Sequence, residues 1–122
     1  MTPESYRATW QSYAAAWKAP TAEARRTLLA QSTHTDCIYT DPLGQKIGHP
    51  DLMAYMSEFQ QQTPGGHFVT KHFQFHHGRS IVLWDMVDGA GVKLGEGASY
   101  GEYAEDGRLK SMTGFFETPD AP

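Results

Sequence analysis

Residues 67–117 read HFVTKHFQFHHGRSIVLWDMVDGAGVKLGEGASYGEYAEDGRLKSMTGFFE, and their pattern is period-two alternation broken at regular intervals. The alternation predicts strands at about 67–77, 80–88, 92–104 and 108–117. Each break carries glycine: His77-Gly78-Arg79, Asp88-Gly89-Ala90-Gly91 and Glu105-Asp106-Gly107. Glycine reaches positive φ without steric cost, as tight hairpins require, so three successive hairpins make a four-stranded antiparallel meander. The Gly-rich piece Gly95-Glu96-Gly97-Ala98-Ser99-Tyr100-Gly101 falls inside a strand rather than ahead of a helix. Its small residues are therefore read as bending a strand or leaving cavity room, not as cradling a phosphate.

Upstream of the meander the period changes to that of helices. Tyr6, Trp10, Tyr13 and Trp17 recur at intervals of four, three and four, which predicts one aromatic stripe on a helix from about Pro3 to Lys18. Pro3 suits a first turn, Ala14, Ala15 and Ala16 favour helix, and Pro20 interrupts before Thr21 offers an N-cap to a second helix ending near Ser32. Asp36–Asp41, carrying Cys37, Ile38 and Tyr39, reads as a first strand stopped by Pro42 and Gly44. Pro50 opens a third helix with Leu52, Tyr55, Met56 and Phe59 on one face, and Thr63-Pro64-Gly65-Gly66 ends it. Helices first, strands after and short hairpins between them predict an α+β domain: N-terminal helices packed on a strongly curved antiparallel sheet.

With 122 residues, 39% of them hydrophobic, the chain can bury a core without staples, and one domain over residues 1–117 with a loose tail at 118–122 is expected. Net charge is −4 and the ten Lys and Arg are scattered, which argues against nucleic acid as a partner. No long apolar stretch is present, so neither a signal peptide nor a membrane span is read and a cytoplasmic location is expected. Cys37 is the lone cysteine, excluding an intramolecular disulfide and any multi-thiolate site; it reads as a buried core thiol. His67, His72, His76 and His77 invite a metal reading, yet His72 and His76 would stand about 13 Å apart at strand rise, too far to share one ion. No metal and no cofactor are expected.

A curved sheet closed by helices leaves a concavity, and polar groups facing such an apolar space are the usual candidates for a ligand site. Alternation puts Tyr39 and Asp41 on one face of the first strand, Trp84 and Met86 on one face of another, and Met112, Gly114 and Phe116 on one face of the last. Tyr13 and Trp17 from the first helix, Met56 and Phe59 from the third, and Ser99 complete the expected lining of a pocket for a small apolar ligand. Asp41 is the charged group in that lining. The alternative use of Asp41, a turn residue bonding backbone amides beside Pro42 and Gly44, stays open.

The order of elements, the segment Tyr39-Thr40-Asp41-Pro42-Leu43-Gly44 and the ending Gly107-Arg108-Leu109-Lys110-Ser111-Met112-Thr113-Gly114-Phe115-Phe116-Glu117 resemble the nuclear transport factor 2-like superfamily over nearly the whole chain. Within it the SnoaL-like group is most similar, and the Asp-Pro-x-Gly turn and the Asp106-Gly107-Arg108 hairpin also resemble the steroid isomerases. The resemblance implies the cystatin-like α+β cone, and gives Asp41 the role of the carboxylate that shuttles a proton beside a carbonyl, where loss of water would raise its pKa and make it a better general base. Two of that reaction's donors are replaced: Trp17 stands where the resemblance implies a helix-borne tyrosine, and Ser99 near where it implies a protonated aspartate. The replacements argue against steroid isomerisation itself. The expected function is an isomerase, cyclase, hydratase or dehydratase acting on an apolar carbonyl compound; the rival is a non-catalytic ligand-binding or dimerisation domain. The resemblance further implies a homodimer through the sheet's other face, where alternation places Val69, Phe73 and Phe75.

Overall fold

Thr2 starts the first helix by a reciprocal capping box, its hydroxyl accepting from the Ser5 amide at 3.2 Å while the Ser5 hydroxyl accepts from the Thr2 amide at 3.0 Å. This helix, α1 (Pro3–Ala16), stops two residues before the Lys18 expected from periodicity. The reason lies in the next helix, α2 (Ala22–Ser32), whose Arg25 donates to the carbonyls of Ala16 at 3.1 Å and Ala19 at 2.9 Å. A buried guanidinium there satisfies carbonyls at the negative end of α1 and turns the chain. The computed structural model describes residues 1–118, so the tail expected at 118–122 lies outside the described residues from 119 onward.

The remaining elements are β1 (Thr33–Asp41), β2 (Gly44–Ile47), α3 (Gly48–Gln62), β3 (His67–His76), β4 (Arg79–Val87), β5 (Lys93–Tyr103) and β6 (Leu109–Phe115). The sheet order is β2-β1-β6-β5-β4-β3, a six-stranded curved sheet with the helices packed on one face, an α+β arrangement. The meander β3–β6 is antiparallel throughout, as its glycine-bearing turns predict. One pair departs from the antiparallel pattern: β1 runs parallel to β6, because the chain returns to it only after β2, α3 and the meander, a connection long enough to reverse direction. β1 begins at Thr33, three residues earlier than expected, and β2 is an element the sequence did not announce. Gly-Gln-Lys-Ile is too short to show alternation, and only its pairing of Asp41 with Gly44 and Ile38 with Ile47 makes it a strand.

Irregularities interrupt the register of the β1–β6, β3–β4, β4–β5 and β5–β6 pairs, at Thr33/Ile38, Thr70/His72, Met86/Val87 and Glu102/Tyr103. The one in β3 corrects the face assignment made from strict alternation. An extra residue at Lys71 inverts side-chain parity, so Phe73 and Phe75 pack under the helices against the core while Val69 stays on the outer face. Phe75 stacks on Tyr6 at 4.0 Å between ring centroids, and the Arg7 guanidinium lies 5.2 Å from the centre of the Phe73 ring.

Leu29, Leu52, Met56, Val82, Leu109 and Met112 form the buried centre, with Cys37 among them as a thiol pushed up by burial. Among the described residues no helix is long and apolar enough to cross a membrane. Nor, among them, are three or more His, Cys, Asp or Glu side chains grouped to hold a metal ion.

Candidate functional site

Asp41 ends β1 on the concave side of the sheet, 8% exposed. Its Oδ2 accepts from the Tyr39 hydroxyl at 2.7 Å and from the Tyr55 hydroxyl at 2.7 Å, while its Oδ1 accepts from the Leu43 amide at 2.8 Å. Tyr39 is two residues away on the same strand face, and Tyr55 reaches in from α3. One Asp41 oxygen thus closes the turn before Gly44, as the turn reading expects, and the other gathers two phenols. Taking a carboxylate out of water costs several kcal/mol, and hydrogen bonds to a charged group contribute roughly 1.5–3 kcal/mol each, so three donors offset the burial.

The phenols keep their protons. Burial pushes Tyr39 far above the usual tyrosine range, with Tyr13 and Asp41 adding to it, and Tyr55 is raised by burial and then by its bond to the Asp41 carboxylate. Both act here only as donors.

Beside this cluster opens a cavity of about 470 Å³. Trp17 is the hub of its wall, with ring centroids 5.6 Å from Tyr39, 5.8 Å from Tyr55, 5.7 Å from Phe59 and 5.5 Å from Phe68. Trp84 stands 5.0 Å from Phe68, and its Nε1 donates to Ser99 Oγ at 3.0 Å. Gly97 makes this possible. A Cβ at that position would lie 2.5 Å from the Trp84 ring, so only glycine lets the indole lie against β5.

Of the residues expected to line a pocket, Trp17, Tyr39, Asp41 and Phe59 line this cavity together with Trp84, Met86 and Phe116. Tyr13 and Ser99 instead line a smaller space of about 50 Å³ that shares Trp17, Tyr39, Phe68, Trp84 and Phe116 with the larger one. Met56 and Met112 line neither and are fully packed core side chains, which corrects their assignment. On α3 the cavity face runs through Tyr55, Glu58, Phe59 and Gln62, spaced three, four and seven apart, and Met56 points away from it. Sequence reasoning placed Tyr55 on the apolar face of α3 but not in the site, and missed Phe68 altogether. The spacing of Tyr55 to Phe59 was the available signal for the first; nothing local marked Phe68.

Gly114 lines the smaller space, close to Asp41 of the larger one. A Cβ built there would have Asp41 Cβ at 3.6 Å, the Tyr39 hydroxyl at 3.7 Å and Ser99 Oγ at 4.0 Å. The missing side chain leaves a point where a carboxylate, a phenol and a serine hydroxyl converge. Among the described residues every buried side-chain nitrogen and oxygen has a hydrogen-bond partner. Ser99 Oγ finds its partner by accepting, which leaves its own O–H to donate.

No protein-family model and no curated protein matches the chain. Solved structures do. A protein of the SnoaL-like family from Agrobacterium tumefaciens, named as a candidate isomerase, is 27% identical with a TM-score of 0.85, over 97% of this chain and 100% of its own. A SnoaL-like protein of unknown function from Burkholderia thailandensis is 14% identical with a TM-score of 0.75, over 97% and 99% of the two chains. A candidate SnoaL-like polyketide cyclase from Jannaschia is 12% identical with a TM-score of 0.76, over 93% and 86%. With the helices, strand order and concave cluster set out above, these similarities identify the lineage: the chain belongs to the nuclear transport factor 2-like superfamily and is SnoaL-like in form.

Proposed function

We propose that the protein binds a flat, largely apolar carbonyl compound in the aromatic cavity and that Asp41 moves a proton at the carbon beside the carbonyl, as an isomerase, cyclase or dehydratase does. One observation carries this reading: a buried carboxylate with two un-ionised phenols stands at the wall of an aromatic cavity of about 470 Å³. In the step itself, an Asp41 oxygen takes the α-proton and the C–H electron pair moves into the carbonyl, leaving an enolate oxygen that needs a donor. Tyr39 and Tyr55 are committed to Asp41. Ser99, which accepts from the Trp84 indole and retains its own O–H, is the donor that the Gly114 gap leaves accessible. The proton then returns from Asp41 to the carbon skeleton. That one similar protein is a candidate isomerase and another a candidate polyketide cyclase fits enolate chemistry.

The test uses 2-tetralone, a flat bicyclic ketone with exchangeable α-protons. Deuterium uptake in heavy water, followed by proton NMR, should be catalysed by the native protein. In Asp41→Asn it should drop by about 10²–10⁴, the usual worth of a general base, with affinity read from Trp17 and Trp84 fluorescence changing only a few-fold. Undiminished exchange in the variant removes Asp41 from the role, and binding without exchange in either form makes the protein a binding module.

We also propose that a second copy covers the outer sheet face, where Val69, Ile81, Leu83 and Phe115 are 42%, 37%, 46% and 59% exposed. Sedimentation should give a dimer for the native chain and a monomer for Leu83→Glu; a native monomer at micromolar concentration rejects it.

A further inference from the structure

Charge is distributed unevenly around the cavity. Four of its lining residues are acids, Asp41, Glu58, Glu96 and Glu117, and among the described residues no lysine, arginine or histidine lines it. Glu96 is answered from outside by Lys93 at 2.9 Å, and Asp41 by its phenols and the Leu43 amide. Glu58 and Glu117 form no ion pair among the described residues and are exposed at the cavity edge. A lysine does come near: Lys46 Nζ lies 5.1 Å from the centre of the Tyr55 ring, so the wall already engages one ammonium through an aromatic face.

Two physical effects then act together. Aromatic faces attract cations through the ring quadrupole, and a cleft lined by one sign of charge with low-dielectric walls focuses its field on the opposite sign. A ligand carboxylate or phosphate would enter this space against the Glu58 and Glu117 carboxylates, with no cation among the described lining residues. An ammonium would find rings at the wall and carboxylates at the edge.

We propose that the cavity selects its ligand by charge, taking an apolar, flat-bodied compound that carries a protonated amine and rejecting carboxylates and phosphates. The proposal deepens the small-molecule reading above and rests on the cavity being a binding site. It places the amine at the cavity rim beside Glu58 or Glu117, with the apolar body against Trp17, Phe59 and Phe68.

Three probes of one shape separate the possibilities: 2-naphthylmethylamine, 2-naphthalenemethanol and 2-naphthoic acid, titrated by calorimetry into the native protein. The amine should bind about tenfold more tightly than the acid at low ionic strength, with the alcohol between them. Added salt should narrow the gap. The double variant Glu58→Gln with Glu117→Gln, both at exposed positions, should narrow it as well, with the amine losing more affinity than the alcohol. An acid that binds as tightly as the amine, or a gap that persists in full in the double variant, overturns the charge proposal while the alcohol's binding and the exchange of 2-tetralone leave the proton chemistry standing. Failure of all three probes and of 2-tetralone to bind overturns the cavity reading and the charge proposal together.

Discussion

The concave face of the sheet holds two aromatic clusters that use similar side chains to opposite ends. At one end Tyr6, Phe75 and Tyr103 pack on one another at 4.0, 5.0 and 5.6 Å, and the Tyr103 hydroxyl shares a hydrogen bond with Ser80 at 2.9 Å inside a filled core. At the other, Tyr39 and Tyr55 bind a carboxylate beside an open cavity. Two glycines mark the contrast. A Cβ on Gly101, at the filled end, would meet Leu109, Ser80 and Trp10 at 2.9, 3.0 and 3.1 Å, whereas one on Gly114 would meet nothing closer than 3.6 Å. Ring content alone therefore does not make a pocket; unfilled volume next to a charge that is costly to bury does.

The largest effect should appear at alkaline pH and spans both ends. Burial pushes Tyr103 up to about 12 from an ordinary 10.0, and raises Tyr13, Tyr39 and Tyr55 as well. The unfolded chain ionises its phenols near the ordinary value while the native state holds their protons. Their contribution to stability is thus complete below that value and is lost as pH climbs through the raised ones. Urea midpoints should fall steeply from about pH 10 upward, and tyrosinate absorbance of the native protein should lag that of the unfolded chain. Coincident titration curves with the fold intact would show that these phenols are not buried as described.

Next in size, Gly101→Ala should cost about 1–3 kcal/mol by overpacking, measured as a shift in denaturant midpoint. Gly114→Ala should shift stability by less than about 0.5 kcal/mol, since its added methyl makes only ordinary contacts. It should nevertheless weaken 2-tetralone binding and exchange, because the methyl fills the point shared by Asp41, Tyr39 and Ser99. Equal stability losses in the two variants would erase the distinction between filled and open ends.

Much of this contrast was legible before any coordinates. The stripe of Tyr6, Trp10, Tyr13 and Trp17 announces a helix because aromatic residues at that spacing have one face to bury, and the glycine-bearing breaks after residue 76 announce hairpins because only such turns close them. Tyr39 and Asp41 could be put on one face from a spacing of two. What failed were matters that local pattern does not encode. The irregularity at Lys71 inverted the second half of β3, moving Phe73 and Phe75 from the outer face to the core. Met56 and Tyr55 are adjacent on α3, and only the helix's rotation against the sheet decides that Tyr55 faces the cavity while Met56 fills the centre. The parallel β1–β6 pair, which brings Tyr39 beside Met112 and Asp41 near Gly114, depends on a long-range return of the chain.

A crystal structure of the protein with 2-tetralone tests the central claim most directly. The account predicts the ring system between Trp17, Phe59 and Phe68, an α-carbon within about 3.5 Å of an Asp41 oxygen, and the carbonyl turned toward Ser99. A ligand bound with its carbonyl directed away from Asp41, or seated elsewhere with the aromatic cavity empty, would contradict it.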